Sequence, residues 1–463
     1  MIGSHRLGNA RQLAIGLVGS GLACIAFVGA WIGQNGVDYR SVIVGLLLLA
    51  GVATFVAGRQ GIAVGLLLWI SIFAIGFRTI AITPALALHP LVLFILALLV
   101  LQVAEAGLSP QLGIRLRAPA WLWAFSLFWA WAWIIGASNG HAWDLMLSEF
   151  LNFVVMVPVF VVVDAITGTG HGWHRVAAAL LGVGTLISLL GVLEYYFPGL
   201  VRLLPAYVGR DTEFLAEGGF YRATFSFWGS PAATFVSALA LPFVWPLWQL
   251  WRGALVRVGL AASVAIQILG IYIGGYRSLW GLVGLVFVVL IVWRKGLIGV
   301  IISAAGAGLA YQLLPQLGQS RFQTLLSALQ GNFQDSSALN RWQRLVGAFT
   351  VVIYQPWGLG WGGAGWVHSD FLQVAANLGL LAGVLFLAWY LSTLVRLWRL
   401  AAQRPDDALT LGLLGGYMVA GGLLLSQGVE VLPQLALPVW FVWALVEARL
   451  RHKPRMIGKP HGA

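Results

Sequence analysis

Apolar residues run along this chain in blocks of about 20, the length a helix needs to cross the hydrocarbon core of a bilayer. Polar turns separate them, and the strict alternation of a half-buried strand is missing. The blocks predict helices near 13–32, 41–57, 62–78, 86–106, 119–136, 147–166, 176–197, 230–250, 258–275, 278–294, 296–314, 371–395, 408–427 and 432–449. Two stretches, 198–229 and 315–370, are too polar to span and long enough to hold structure of their own. Long ordered loops often carry function. Within the second, apolar Leu339, Trp342, Leu345, Val346 and Phe349 recur at helical spacing between Ser337 and Ile353. This predicts an amphipathic helix that lies along the membrane surface or caps the bundle.

Composition sharpens the class. Hydrophobic residues make up 60% of the chain and charged ones 9%, with a mean hydropathy of +0.88. A soluble domain carries roughly 25% charged residues, so lipid is the expected solvent. The fold class expected is all-α, a polytopic membrane bundle of about 12–14 transmembrane helices with a large external loop that contains helices. The chain divides into N-terminal helices with their first external loop (1–229), central helices (230–314), the large loop (315–370), and C-terminal helices with a basic tail (371–463).

The net charge of +12 does not point to nucleic acid, because the basic residues sit at helix ends. With the N-terminus inside, eighteen of the 27 basic residues fall in inner segments and nine outside. That bias predicts the orientation, with both termini on the cytoplasmic side of an inner membrane. Arg6 and Arg11 precede an apolar run to Ile32, which reads as an uncleaved first helix. The single cysteine, Cys24, lies in that run and excludes an intrachain disulfide. Gly21-Leu22-Ala23-Cys24 is a poor lipoprotein box, with Gly where Leu is expected.

All three lysines are inside, so the outer face uses arginine alone. A guanidinium donates two parallel hydrogen bonds to a phosphate, stays charged and sheds water more easily than an ammonium. The outer face is therefore suited to an anionic ligand held near the membrane, and a lipid diphosphate fits. Arg222, in Gly218-Gly219-Phe220-Tyr221-Arg222, precedes a predicted span. Arg277 lies in a tight Gly274-Gly275-Tyr276-Arg277 turn. Each also reads as an interface arginine, but the tight turn draws Arg277 into the bundle, where charge tends to be functional. Arg210 and Arg341 are further outer arginines.

His368 ends the large loop and opens the next predicted span. An imidazole can take a proton from a hydroxyl, though a lone histidine at a helix start is also a common cap. Asp370 is two residues away and so on a different helix face. Glu430, in the last outer turn, is a candidate to line the same cavity. Asp211, Glu213 and Glu217 are carboxylates of the kind that hold a divalent metal, but they read better as a solvated loop, and no metal or other cofactor is expected. The glycine-rich stretch from Gly358 to Gly365 has no strand–turn–helix context for a nucleotide and reads as a turn leading into His368.

Together these residues resemble the O-antigen ligase and O-antigen polymerase family of bacterial envelope glycosyltransferases. The likeness rests on Pro356-Trp357-Gly358-Leu359-Gly360, then His368-Ser369-Asp370-Phe371-Leu372-Gln373, then Asn377-Leu378-Gly379-Leu380-Leu381-Ala382-Gly383. It covers roughly residues 215–395, and Arg222, Arg277 and Arg341 fall where the family carries arginines. The resemblance implies a GT-C-like helical membrane fold with a periplasmic active site. It implies transfer of a glycan from undecaprenyl diphosphate to an acceptor hydroxyl, without a metal. The acceptor is lipid A-core for a ligase or a second lipid-linked repeat unit for a polymerase. His368 would be the general base or the group that positions the acceptor, with Arg222 and Arg277 on the diphosphate. A transporter is the competing class, but its ionisable residues belong near the bilayer midplane, whereas these gather at outer ends.

Overall fold

A computed structural model describes residues 80–81, 87–88, 120–154, 156–167, 172–197, 230–313, 323, 327, 336–365, 367–426 and 433–451. Apart from a two-residue antiparallel pair, Ile80–Ala81 with Ala87–Leu88, the regular structure there is helical. Five helices among the described residues are long and apolar enough to cross a membrane, and the fold is that of a helical membrane protein. These spans are Val176–Tyr196, Ala254–Ile273, Ser278–Lys295, Leu380–Gln403 and Ala408–Ser426. The first three predicted spans lie outside the described residues, and of the fourth, 86–106, only Ala87–Leu88 are described, as a strand and not a helix.

In chain order the helices are α1 (Ala120–Ser138), α2 (Trp143–Val154), α3 (Met156–Thr167), α4 (Gly172–Tyr196) and α5 (Ser230–Ala240). After a 3-10 turn, Leu241–Phe243, come α6 (Val244–Leu250), α7 (Ala254–Ile273), α8 (Arg277–Lys295) and α9 (Leu297–Leu313). The last are α10 (Ser336–Tyr354), α11 (Asp370–Leu378), α12 (Leu380–Gln403), α13 (Ala408–Ser426) and α14 (Pro433–Arg451).

One predicted span is tightened and another is corrected. The span at 230–250 stays helical but passes through a 3-10 turn at Leu241–Phe243, where Pro242 lacks the N–H that a regular α-helix uses. The span at 371–395 is two elements: the short α11, then α12 beginning only at Leu380. Gly379 between them has φ 101°, a conformation side chains disfavour. A Cβ there would stand 3.0 Å from the carbonyl oxygens of Pro356 and Trp357. His368 therefore opens a short helix and not a span.

Helix association in lipid depends on close packing and polar contacts, since apolar surface gains little by leaving lipid. Both are visible where α4, α5 and α7 meet. Gly270 leaves no room for a side chain beside Ser188. Ser188 bonds Ser237 at 2.7 Å, and the Gln267 amide donates to Thr185 at 2.9 Å. Helix α14 is buried on all sides over most of its length and packs against α3, α5, α12 and α13. Its Trp440 and Trp443 join Phe386, Trp389, Tyr390 and Tyr417 in an aromatic core.

The two ends of the bundle differ. At one end Arg449 pairs with Asp407 and donates to it at 2.5 Å, and Arg451 pairs with Asp164 at 3.2 Å. Glu447 there accepts from Trp389 and Thr393, with Arg396 4.0 Å away. The opposite end, where α12 begins, carries the loop that leads to His368. The 24 residues of α12 separate the two by roughly 36 Å.

Candidate active site

The segment from Gln355 to Ser369 is held in place from three sides. Its backbone first completes α11. The last carbonyls of a helix have no partner within it. Here the Leu359 N–H donates to Ala376 O at 2.7 Å and the Gly360 N–H to Asn377 O at 2.9 Å. The Leu380 N–H donates to Pro356 O at 2.8 Å, tying the same turn to the start of α12. Gly360, with φ 83°, lies so close to α1 that a Cβ would stand 2.1 Å from the Gly136 nitrogen.

The second side is the α1–α2 hairpin. Trp131 donates to Trp357 O at 3.0 Å and Asn139 to Leu359 O at 2.9 Å. His141 Nδ1 donates to Trp361 O at 2.9 Å, which fixes that nitrogen as the protonated one. Buried Trp361 donates in turn to Trp129 O at 3.1 Å. From α2, Glu149 accepts from the Gly362 N–H at 2.7 Å and from Asn377 Nδ2 at 3.2 Å.

The third side is α11 itself. Asn377 Oδ1 accepts from the Ala364 N–H at 3.0 Å. Gln373 accepts from the Val367 N–H at 2.8 Å and donates to Gly365 O at 2.6 Å. The Gln373 bracket fixes the backbone just before His368. The glycine-rich stretch is thus a pinned turn that delivers a histidine, as its sequence context implies.

His368 is half-buried, and Arg341 and Arg344 of α10 act on it electrostatically. Burial first, then these two guanidiniums, push its pKa down to about 4. The imidazole is neutral at physiological pH and has a lone pair to accept a proton. Arg341 and Arg344 are three apart and so share one side of α10. An anion bound beside them would cancel part of their field and make His368 a stronger base.

Arg277 is the first residue of α8, and its side chain lies outside the described residues. Its backbone position can still be placed. Gly412 and Gly416 of α13 face Pro242, Pro246 and Leu239, so α5 runs antiparallel to α13. Since α13 starts at the end with the Asp407–Arg449 pair, α5 starts at the opposite end. There Thr234 and Phe235 of α5 meet Gly274 and Tyr276. The turn before Arg277, the start of α5 and the His368 loop therefore share one end of the bundle. Asp370 is fully buried in the first turn of α11, where a carboxylate suits the helix dipole. Arg210, Arg222 and Glu430 lie outside the described residues, as do Asp211, Glu213 and Glu217.

Sequence reasoning gave no role to Glu149, Gln373 or Arg344. Glu149 had a signal, since a carboxylate inside a predicted span is costly in lipid and usually has a purpose. Gln373 and Arg344 act through the fold, which spacing alone does not reveal. No protein-family model matches the chain, and no curated protein is significantly similar to it.

Proposed function

We propose that this protein is a membrane glycosyltransferase of the O-antigen ligase type. It transfers a glycan from undecaprenyl diphosphate to a sugar hydroxyl of lipid A-core on the periplasmic face. The observation that carries the reading is a neutral, half-buried His368 beside Arg341 and Arg344, on a loop braced from three sides. Such an arrangement can accept a hydroxyl proton and bind an anion together.

In this reading the acceptor hydroxyl loses its proton to His368 as its oxygen attacks the anomeric carbon of the donor. The bond from that carbon to the diphosphate breaks, and the diphosphate leaves with the electron pair. Arg277 and Arg222 hold the diphosphate, with Arg341 and Arg210 as further positive groups. General-base assistance contributes about 10²–10⁴-fold, and a preorganised donor to developing charge contributes about 10²–10³-fold. The diphosphate is a good leaving group already, so the arginines take the place of a metal.

A polymerase differs only in taking a second lipid-linked repeat unit as acceptor. Reconstitution with a lipid-linked oligosaccharide and both acceptors tests the proposal. Glycan on lipid A-core supports the ligase, and an extended lipid-linked glycan supports the polymerase. Movement of the intact donor across the bilayer without transfer would overturn both in favour of a transporter.

A further inference from the structure

Helix α10 has two faces that do different things. Ala348 and Val352 are buried, and Val352 packs on Ala375 and Ala376 of α11. The same side carries Arg341 and Arg344, which act on His368. The other side is a stripe of Leu339, Trp342, Val346, Phe349 and Ile353, exposed by 41%, 52%, 45%, 57% and 57%. At 3.6 residues per turn these five fall within one narrow sector along the whole helix. A contiguous apolar face of this kind, left in water, marks an interaction site.

The neighbouring surface identifies what covers it. Helix α10 ends at Tyr354, and its chain continues through exposed Trp357 to the bond between Pro356 O and the Leu380 N–H. Leu380 begins a membrane span, and Leu380, Leu381, Val384 and Leu385 on it are exposed large apolar residues. On a span, exposed apolar side chains meet lipid. The end of α10 is therefore tied to the exposed apolar start of a membrane span. Trp342, Trp357 and the partly exposed Trp131, which bonds Trp357, are the residue type enriched at the bilayer–water boundary.

We propose that α10 is an in-plane membrane helix, with the Leu339–Trp342–Val346–Phe349–Ile353 stripe inserted among the lipids of one leaflet. Helices of this class sink about 5–10 Å below the headgroups. That depth puts Arg341 and Arg344, on the opposite side, at the level of lipid phosphates. The insertion stands on the geometry alone, whether or not the protein transfers a glycan.

The test uses the full chain with Cys24→Ser, which removes its only cysteine. Single cysteines are then introduced as Val346→Cys, Phe349→Cys and Asn340→Cys. Each is nitroxide-labelled and the protein reconstituted into phosphatidylcholine–phosphatidylglycerol vesicles. Monodisperse elution of each variant before reconstitution serves as the folding control. Labels at 346 and 349 should collide with oxygen in preference to a water-soluble nickel chelate, and the label at 340 should do the reverse. A preference for nickel at 346 and 349 would overturn the proposal by placing the stripe in water. Shielding from both reagents would overturn it too, by showing that another part of this chain or a second copy covers the stripe.

Discussion

Glu149 and Asn377 lie 228 positions apart and meet at 3.2 Å beneath the glycine-rich turn. Between them they hold two of its N–H groups, those of Gly362 and Ala364. Removing either side chain takes an acceptor from a part-buried donor, which costs up to about 1–3 kcal/mol. Asn377→Ala and Glu149→Ala should lower the thermal unfolding midpoint in detergent and reduce activity through a misplaced His368. The double variant should lose less than the sum of the two, because both act on one turn. Simple additivity would show that they brace it independently.

His368→Ala and Arg277→Ala separate catalysis from folding. Loss of a general base removes about 10²–10⁴-fold in rate. Each variant should insert in the membrane and elute as the parent does while glycan transfer falls to near background. Full activity in either variant removes that residue from the proposed mechanism.

The acid limb of the pH profile carries the next prediction. His368 must be neutral to accept a proton, so activity is lost as pH falls through its pKa. In the free protein, burial together with Arg341 and Arg344 holds that value at about 4, below the ordinary 6.5. The limb of kcat/KM reports the free protein and should fall near there. A bound diphosphate offsets the two arginines, so the limb of kcat should lie at higher pH. Arg341→Gln should move the kcat/KM limb up toward 6.5. Identical limbs that ignore this substitution would show that another group titrates.

Metal independence is checked by chelation. The proposed chemistry relies on arginines to hold the departing diphosphate, and guanidiniums are indifferent to EDTA. Transfer should survive exhaustive treatment with it. Activity that disappears and returns with Mg²⁺ or Mn²⁺ would turn attention to Asp211, Glu213 and Glu217.

Much of the architecture was legible because lipid imposes a simple length rule. The spans read at 258–275, 278–294 and 408–427 fall close to α7, α8 and α13. Helix α10 was legible from its period, and its exposed stripe is the face that the period predicts. Hydropathy cannot see a backbone break inside an apolar run, which is why 371–395 read as one span although Gly379 divides it. Pairings across the fold were also beyond reach. Nothing near Glu149 in sequence says that its partners are Gly362 and Asn377, and nothing in the spacing of Arg341 and Arg344 says that they face His368. Residue type nominated the candidates, and tertiary packing determined which of them lie together.

The end of the bundle away from His368 supplies the control for these experiments. Burial opposes ionisation of Asp407, but hydrogen bonds from Thr410 and the charge and hydrogen bond of Arg449 outweigh it and hold the carboxyl below its ordinary 3.8. A carboxylate whose folded pKa lies below its unfolded value adds stability that is complete above the unfolded pKa and disappears as pH falls through the folded one. The contribution of this pair should thus be intact at neutral pH and fade only below about 3.8. Arg449→Ala leaves the half-buried Asp407 with Thr410 as its remaining partner, and losing a hydrogen bond to a charged group costs about 1–3 kcal/mol. The thermal midpoint should drop at pH 7, and the drop should shrink in acid as Asp407 takes up a proton. The correctly folded fraction should keep its transfer rate, since the pair lies roughly a whole span away from His368. A variant with normal stability would show that α14 is anchored without this pair. A stable variant that had lost transfer would mean that the two ends of the bundle are coupled.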